Sequence, residues 1–160
     1  DDSTHLQGFQ DVDAGLDAGV FGSISFEKFS AKLKFRQDIS NNHEGHLISG
    51  RLVYKAIESR KLIANLNIKT TYANDNYMKT YFGVTNSQAS SSGFKEFNAN
   101  GGIKDVGAGT SVIYPFNKYW SFITIANYTR LLNDAANSPL VENAGSKNHF
   151  WLGLGVAYRF

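Results

Sequence analysis

Hydrophobic and polar positions alternate along most of this chain, and the alternation is cleanest at its end. From Asn148 to Phe160 one set of alternate positions holds Phe150, Leu152, Leu154, Val156, Tyr158 and Phe160, while the other holds His149, Trp151, Gly153, Gly155, Ala157 and Arg159. A period of two marks a β-strand, whose successive side chains point to opposite faces. The pattern recurs upstream. Val12, Ala14, Leu16, Ala18 and Val20 alternate with Asp11, Asp13, Gly15 and Asp17, and Phe29, Ala31, Leu33 and Phe35 alternate with Ser30, Lys32, Lys34 and Arg36. Leu62, Ala64, Leu66, Ile68 and Tyr72 oppose Asn65, Asn67, Lys69 and Thr71; Val106, Ala108, Val112 and Tyr114 oppose Asp105, Gly107, Gly109 and Ser111. Seven strands are predicted, over residues 11–22, 28–39, 46–58, 61–73, 102–115, 119–132 and 148–160. The sixth mixes apolar and polar residues on both faces, so its orientation stays open.

The connections fall into two length classes. Those near residues 25–27, 59–60 and 116–118 are tight, whereas 40–45, 74–101 and 133–147 are longer and rich in Asn, Ser and Gly. Strict alternation of short and long connections is how bacterial membrane barrels divide periplasmic turns from extracellular loops. The strands also exceed the usual length of about five or six residues in soluble sheets, and match the roughly nine to eleven that cross a bilayer at a tilt. A soluble calyx would carry its apolar side chains inside, so alternation alone does not orient the faces. Tyr54, Tyr72, Tyr114, Tyr158 and Phe160 lie near strand ends on the apolar face, where an interfacial girdle belongs. The expected fold is therefore all-β: a single antiparallel up-and-down transmembrane β-barrel, apolar outside and polar within. Bacterial single-chain barrels have even strand numbers. The first strand runs toward the short-turn side and residues 1–10 are too short and polar to precede it, so further N-terminal strands are expected.

Composition adds exclusions. No run approaches the roughly eighteen apolar residues of a membrane helix, and mean hydropathy is -0.30, which a barrel tolerates because every second strand residue faces its lumen. Net charge is +2, with Lys and Arg dispersed, so no nucleic-acid footprint is present. The absence of cysteine excludes a disulfide scaffold and a thiolate metal site. No signal peptide begins at Asp1; the expectation is a removed or upstream leader.

Four features invite chemistry. Asp11, Asp13 and Asp17 share a face with Lys32, Lys34 and Arg36 of the next strand, which suggests a lumen network of cross-strand ion pairs; the functional alternative is an ion-selective constriction. His43-Glu44-Gly45-His46 is one residue short of the zincin spacing, lies in a loop and lacks a third ligand, so no metal is expected. His149 lies inside the last strand, near its outer end, and nothing in the sequence joins it to Asp105 and a serine as a hydrolase would need. The 74–101 loop is longer than a simple link. Its Tyr77, Met78, Tyr81, Phe82 and Phe94 could fold over the pore, meet a partner, or pack on one another, and Thr85 to Ser92 reads as flexible.

Several blocks resemble the MltA-interacting protein family, also called MipA/OmpV. They are Gly8-Phe9-Gln10-Asp11-Val12-Asp13-Ala14, Ala73-Asn74-Asp75-Asn76-Tyr77-Met78-Lys79-Thr80-Tyr81-Phe82-Gly83-Val84, Ser92-Gly93-Phe94, the run from Tyr128 through Leu132-Asn133-Asp134-Ala135-Ala136-Asn137-Ser138-Pro139-Leu140 to Val141, and Gly153-Leu154-Gly155-Val156-Ala157-Tyr158-Arg159-Phe160. The Tyr-Met-x-Thr-Tyr-Phe-Gly-Val and Leu-Leu-x-Asp-Ala-Ala-x-Ser-Pro blocks are the specific ones. The resemblance implies an outer-membrane barrel of a Gram-negative bacterium, with the C-terminal two-thirds of ten or twelve strands represented. It further implies a non-enzymatic scaffold in contact with outer-membrane lipid, linking a lytic transglycosylase to a peptidoglycan synthase, with no cofactor and no catalytic residues to carry over. Porin-like passage of small solutes and surface adhesion are the alternatives it leaves, with a membrane-embedded hydrolase a more distant one.

Overall fold

The apolar stripes of consecutive strands can be buried against lipid together only if neighbouring strands pair in a register that keeps every stripe on one face. The structure, a computed structural model that describes residues 15–40 and 44–160, has that register. Its strands are β1 (Asp17–Phe26), β2 (Phe29–Asp38), β3 (His46–Glu58), β4 (Ile63–Ala73), β5 (Gly102–Pro115), β6 (Trp120–Leu131) and β7 (Asn148–Tyr158). Each pairs antiparallel with the next in one sheet. Phe29, Tyr54, Leu66, Thr110, Ala126 and Leu152 form one cross-strand row of the apolar face.

The polar face is the more shielded one. Leu33, Leu66 and Leu154 keep more than half of their surface exposed, whereas Asn65, Asn67, Lys69 and Thr71 are partly shielded. A methyl group added at Gly109 would stand 2.3 Å from Asn127 Oδ1 and 2.9 Å from Asn67 Nδ2, so side chains from both neighbouring strands converge above that glycine. Two threonine hydroxyls on the apolar face are satisfied by the sheet itself: Thr70 donates to the Asp105 carbonyl at 3.1 Å and Thr110 to that of Asn65 at 3.0 Å. Lipid offers no substitute partner, so such local satisfaction is what a lipid-facing hydroxyl needs. At the short-turn end the outer aromatics meet one another, Phe29 with Tyr54 at 5.0 Å, Trp120 with Tyr158 at 4.8 Å and Tyr158 with Phe160 at 5.2 Å between ring centroids.

Two register shifts preserve this sorting. One lies between Lys55 and Ile57 of β3 and keeps Ile57 opposite Ala64. The other, between Thr71 and Tyr72 of β4, leaves Lys104 as the extra residue of β5. Adjacent strand residues normally point to opposite faces, and a bulge relaxes that rule. Lys104 and Asp105 can thus form a shielded ion pair at 2.7 Å.

Three expectations need correction. The first strand runs on to Phe26 rather than ending near residue 22, because Ile24 and Phe26 extend the outer stripe and pair with Ala31 and Phe29; positions 11–14 of the expected strand lie outside the described residues. Its turn is correspondingly later, at Glu27 and Lys28, with Glu27 in the left-handed region at φ 48°. Second, the stretch read as flexible is helical: α2 (Asn86–Ser92) is fastened by a capping box between Thr85 and Gln88. Third, β6 has a defined orientation. Trp120, Phe122, Thr124, Ala126 and Tyr128 lie in the outer rows and Ser121, Ile123, Ile125, Asn127 and Thr129 in the inner ones. Among the described residues β1 and β7 each pair on one side only, and the sheet is not closed.

Most of the buried core lies at the long-loop end, not between the sheet's faces. Loop 74–101 contains α1 (Asp75–Phe82) and α2; loop 132–147 contains α3 (Asn133–Asn137) and α4 (Pro139–Ala144). Met78, Ala99, Ala135 and Ala136 pack with Leu47, Ala73 and Leu131 at the strand ends.

Candidate functional site

Two regions collect the residues to which the sequence directs attention: the inner face of β1–β4 and the cap above it. On the inner face Asp17 lies 3.5 Å from the Arg36 guanidinium. Register sets Asp17 opposite Asp38 and Gly19 opposite Arg36, so this contact is diagonal. Asp11 and Asp13 lie outside the described residues. Lys32 and Lys34 are brought to the same face as Arg36 and form no ion pair among the described residues: Lys34 is opposite Phe21, and the Lys32 ammonium sits 4.1 Å from the centre of the Phe21 ring. Asp38, at the end of β2, accepts from the backbone N–H groups of Ser40 and Glu44 at 2.9 and 3.0 Å and organises the following loop.

Sequence reasoning missed Arg51. It is directly opposite both Lys32 on β2 and Lys69 on β4. The period-two series Leu47, Ser49, Arg51, Val53, Lys55 carried the signal, but assigning Arg51 to the lysines' row requires the register.

His149 is opposite Thr129, two strands away from Asp105, whose carboxylate is engaged by Lys104. No hydrogen bond or ion pair joins His149 to an acid among the described residues. His43 falls outside them, and no group of three or more potential metal ligands occurs among those described.

The cap is built from the two long loops. Asn74 accepts from the backbone N–H of Tyr77 at 3.2 Å, capping α1, and from that of His46 at 2.9 Å, which seats the helix on the start of β3. Asp134 accepts from the Asn100 backbone N–H at 2.8 Å and its side-chain amide at 3.0 Å. Ser138 is fully buried and donates to the Phe82 carbonyl at 2.7 Å while accepting from the Leu140 N–H at 3.3 Å. Val84 and Phe97 exchange backbone hydrogen bonds at 2.8 and 2.9 Å, which closes the base of the α2 excursion. Met78 is therefore buried, Tyr77 and Phe82 pack against the same core, and Phe94 is partly buried. Tyr81 is the exposed member of the aromatic set, with its ring centroid 4.4 Å from that of Tyr77. Burial pushes the Tyr77 phenol above its ordinary value, and burial raises Tyr81 as well. Both phenols thus stay neutral at physiological pH.

The opposite end of the sheet is open and cationic. Lys28, Arg60, Lys61 and Lys118 occupy the three short turns, accompanied by Glu27. Lys55 is held by Glu58 at 3.3 Å.

Over residues 1–160 the chain matches the family described as MltA-interacting protein MipA. It is similar to outer membrane protein Omp26La of Vibrio anguillarum, with 29% identity over 160 residues that span all of this chain and 60% of that protein. Outer membrane protein OmpV of Vibrio cholerae is 29% identical over 162 residues, again 60% of its length. The MltA-interacting protein of Escherichia coli is 29% identical over 96 residues, which cover 58% of this chain and 36% of that protein. The chain thus spans about three-fifths of the length of the two Vibrio relatives.

Proposed function

The chain belongs to the MltA-interacting protein MipA family, an outer-membrane β-barrel family, and from that premise we propose that it is a non-enzymatic envelope scaffold that holds a lytic transglycosylase, together with a peptidoglycan synthase, at the outer membrane. The observation that carries this reading is the likeness to a protein whose name denotes interaction with MltA. Geometry supports a route for docking. A periplasmic enzyme reaches a barrel from the short-turn side, where Lys28, Arg60, Lys61 and Lys118 present a cationic rim. Complementary charge accelerates encounter and fixes orientation, so the enzyme face expected to dock is acidic. Loops 74–101 and 132–147 face the other way and are consumed in the cap.

The test uses the full-length protein in nanodiscs and a purified lytic transglycosylase. Reversing the rim with Arg60→Glu, Lys61→Glu and Lys118→Glu should weaken capture by tenfold or more at low salt. Deleting residues 85–92, which removes α2, should leave capture unchanged. Capture that survives the reversal but disappears with the deletion would overturn periplasmic docking and favour an outward-facing, adhesive use of the cap.

A further inference from the structure

We infer that the inner face carries a binding site for a multiply charged oxyanion, built by Lys32, Arg51 and Lys69. The three are direct register partners on β2, β3 and β4. Adjacent strands are about 4.8 Å apart, which places three cationic side chains across about 10 Å of sheet. Like charges directly opposite one another destabilise a sheet, and sheets normally place a carboxylate between them. Among the described residues, Asp17 is engaged by Arg36, Glu58 by Lys55 and Asp105 by Lys104. Among the described residues none forms an ion pair with Lys32, Arg51 or Lys69. The row continues through Gly107, Thr129 and His149 without an acid.

The two lysines reach away from each other. Lys32 leans toward β1 and lies 4.1 Å from the Phe21 ring centre. Lys69 leans the opposite way, over β5, with its Cε 2.6 Å from the place a methyl group on Gly107 would occupy. Glycine at that position is what gives the lysine room. Arg51 stands in register between the two lysines, and its planar guanidinium is suited to donate two parallel hydrogen bonds to one phosphate or carboxylate group. An oxyanion at Arg51 would turn the mutual repulsion of all three into attraction. Basic rings inside a pore select anions and phosphates by the same electrostatics. The row crosses the middle of its strands, remote from the short turns proposed for docking, so this inference stands or falls separately from the scaffold reading.

Inorganic pyrophosphate and citrate are the probes, titrated calorimetrically against full-length protein in zwitterionic detergent; the two distinguish phosphate from carboxylate ligands. The expected result is saturable binding of at least one, weakened tenfold or more by Arg51→Gln and by Lys32→Gln with Lys69→Gln, but unchanged by Arg60→Gln with Lys118→Gln in the short turns. Binding of neither probe at millimolar concentration, or binding that only the turn variant impairs, would overturn the site. A second measurement does not depend on choosing the right anion. In low salt without added oxyanion, Lys32→Gln with Lys69→Gln should raise the denaturant midpoint, and high salt should erase the gain. A lowered midpoint would show that the full-length barrel supplies acidic partners to this row, and would also overturn the site.

Discussion

At the scale of single residues the two faces make opposite demands. Leu66 lies on an interior strand with more than half its surface outward, so Leu66→Arg should cost about 2–4 kcal/mol of folding free energy in a bilayer if it sits near the midplane, as should Leu154→Arg. Denaturant titration of the protein folded into vesicles measures it; an Arg at Leu66 that costs no more than one at the inner Ser49 would contradict the assignment of faces. Glycines give the same contrast on a finer scale. Gly109→Ala would drive its methyl to 2.8 Å from the Ala126 carbonyl as well as into Asn127 and Asn67, and overpacking of that kind costs about 1–3 kcal/mol. Gly22 has nothing within 4 Å of the same position, so Gly22→Ala should be nearly neutral. Equal effects from the two substitutions would refute the crowding on the inner face.

At the scale of elements the cap has a core of its own at the strand ends and should open as a unit before the sheet does. Met78→Ala removes a side chain that is 2% exposed and should destabilise the packed helices by about 2–5 kcal/mol. Ser138→Ala removes two hydrogen bonds of a buried group and should cost about 1–3 kcal/mol. Both losses should appear as faster proteolysis and amide exchange of residues 74–101 and 132–147, with protection of the β3–β6 ladder retained; uniform loss of protection would mean that cap and sheet unfold together. The cap should also be alkali-sensitive. Burial raises the Tyr77 phenol above its ordinary 10.0, so its contribution is fully present below pH 10 and is lost as pH rises through the raised value. Tyr77→Phe should therefore blunt the increase in cap proteolysis between pH 9 and pH 11. The pairing of α1 with α3 and α4 explains why the two most specific sequence blocks occur together: one supplies Met78 and Val84, the other Ala135, Ala136 and Ser138, and small residues in the second let the first approach.

At the scale of the molecule the two tryptophans report which face meets lipid. Trp120 belongs to the outer aromatic group near the short turns, and Trp151 lies opposite Asn127 in an inner row. In single-tryptophan variants, Trp151→Phe and Trp120→Phe, brominated lipid should quench Trp120 and leave Trp151 largely unaffected, while aqueous iodide should do the reverse. The opposite pattern would describe a calyx with an apolar interior. Closure is the other molecular property. An unpaired strand edge has no hydrogen-bond partner in lipid, so the free edges of β1 and β7 must each be paired before the sheet can cross a membrane as a barrel.

Strand number, strand length and the facing of most side chains were legible in the sequence, because they depend on a period of two that each segment carries within itself. The alternation of short and long links was equally local. What needed the tertiary structure were properties that belong to no single segment. The mixed pattern of β6 acquires its orientation from its neighbours: register pairs Ile123 with Gly155 and Ile125 with Gly153 on the inner rows, while Phe122 and Thr124 pair with Val156 and Leu154 of the outer stripe. The cap brings Met78 against Ala135 and Ala136, more than fifty positions away, and two amphipathic fragments give no hint that they cover each other. The end of β1 depends on where its turn falls, and a left-handed Glu27 announces itself less clearly than glycine would. The cationic row of Lys32, Arg51 and Lys69 exists only in register, since a slip of one residue at either pairing would send a side chain to the opposite face. Chain periodicity therefore decided which side chains share a strand face, and long-range pairing decided which of them share a site.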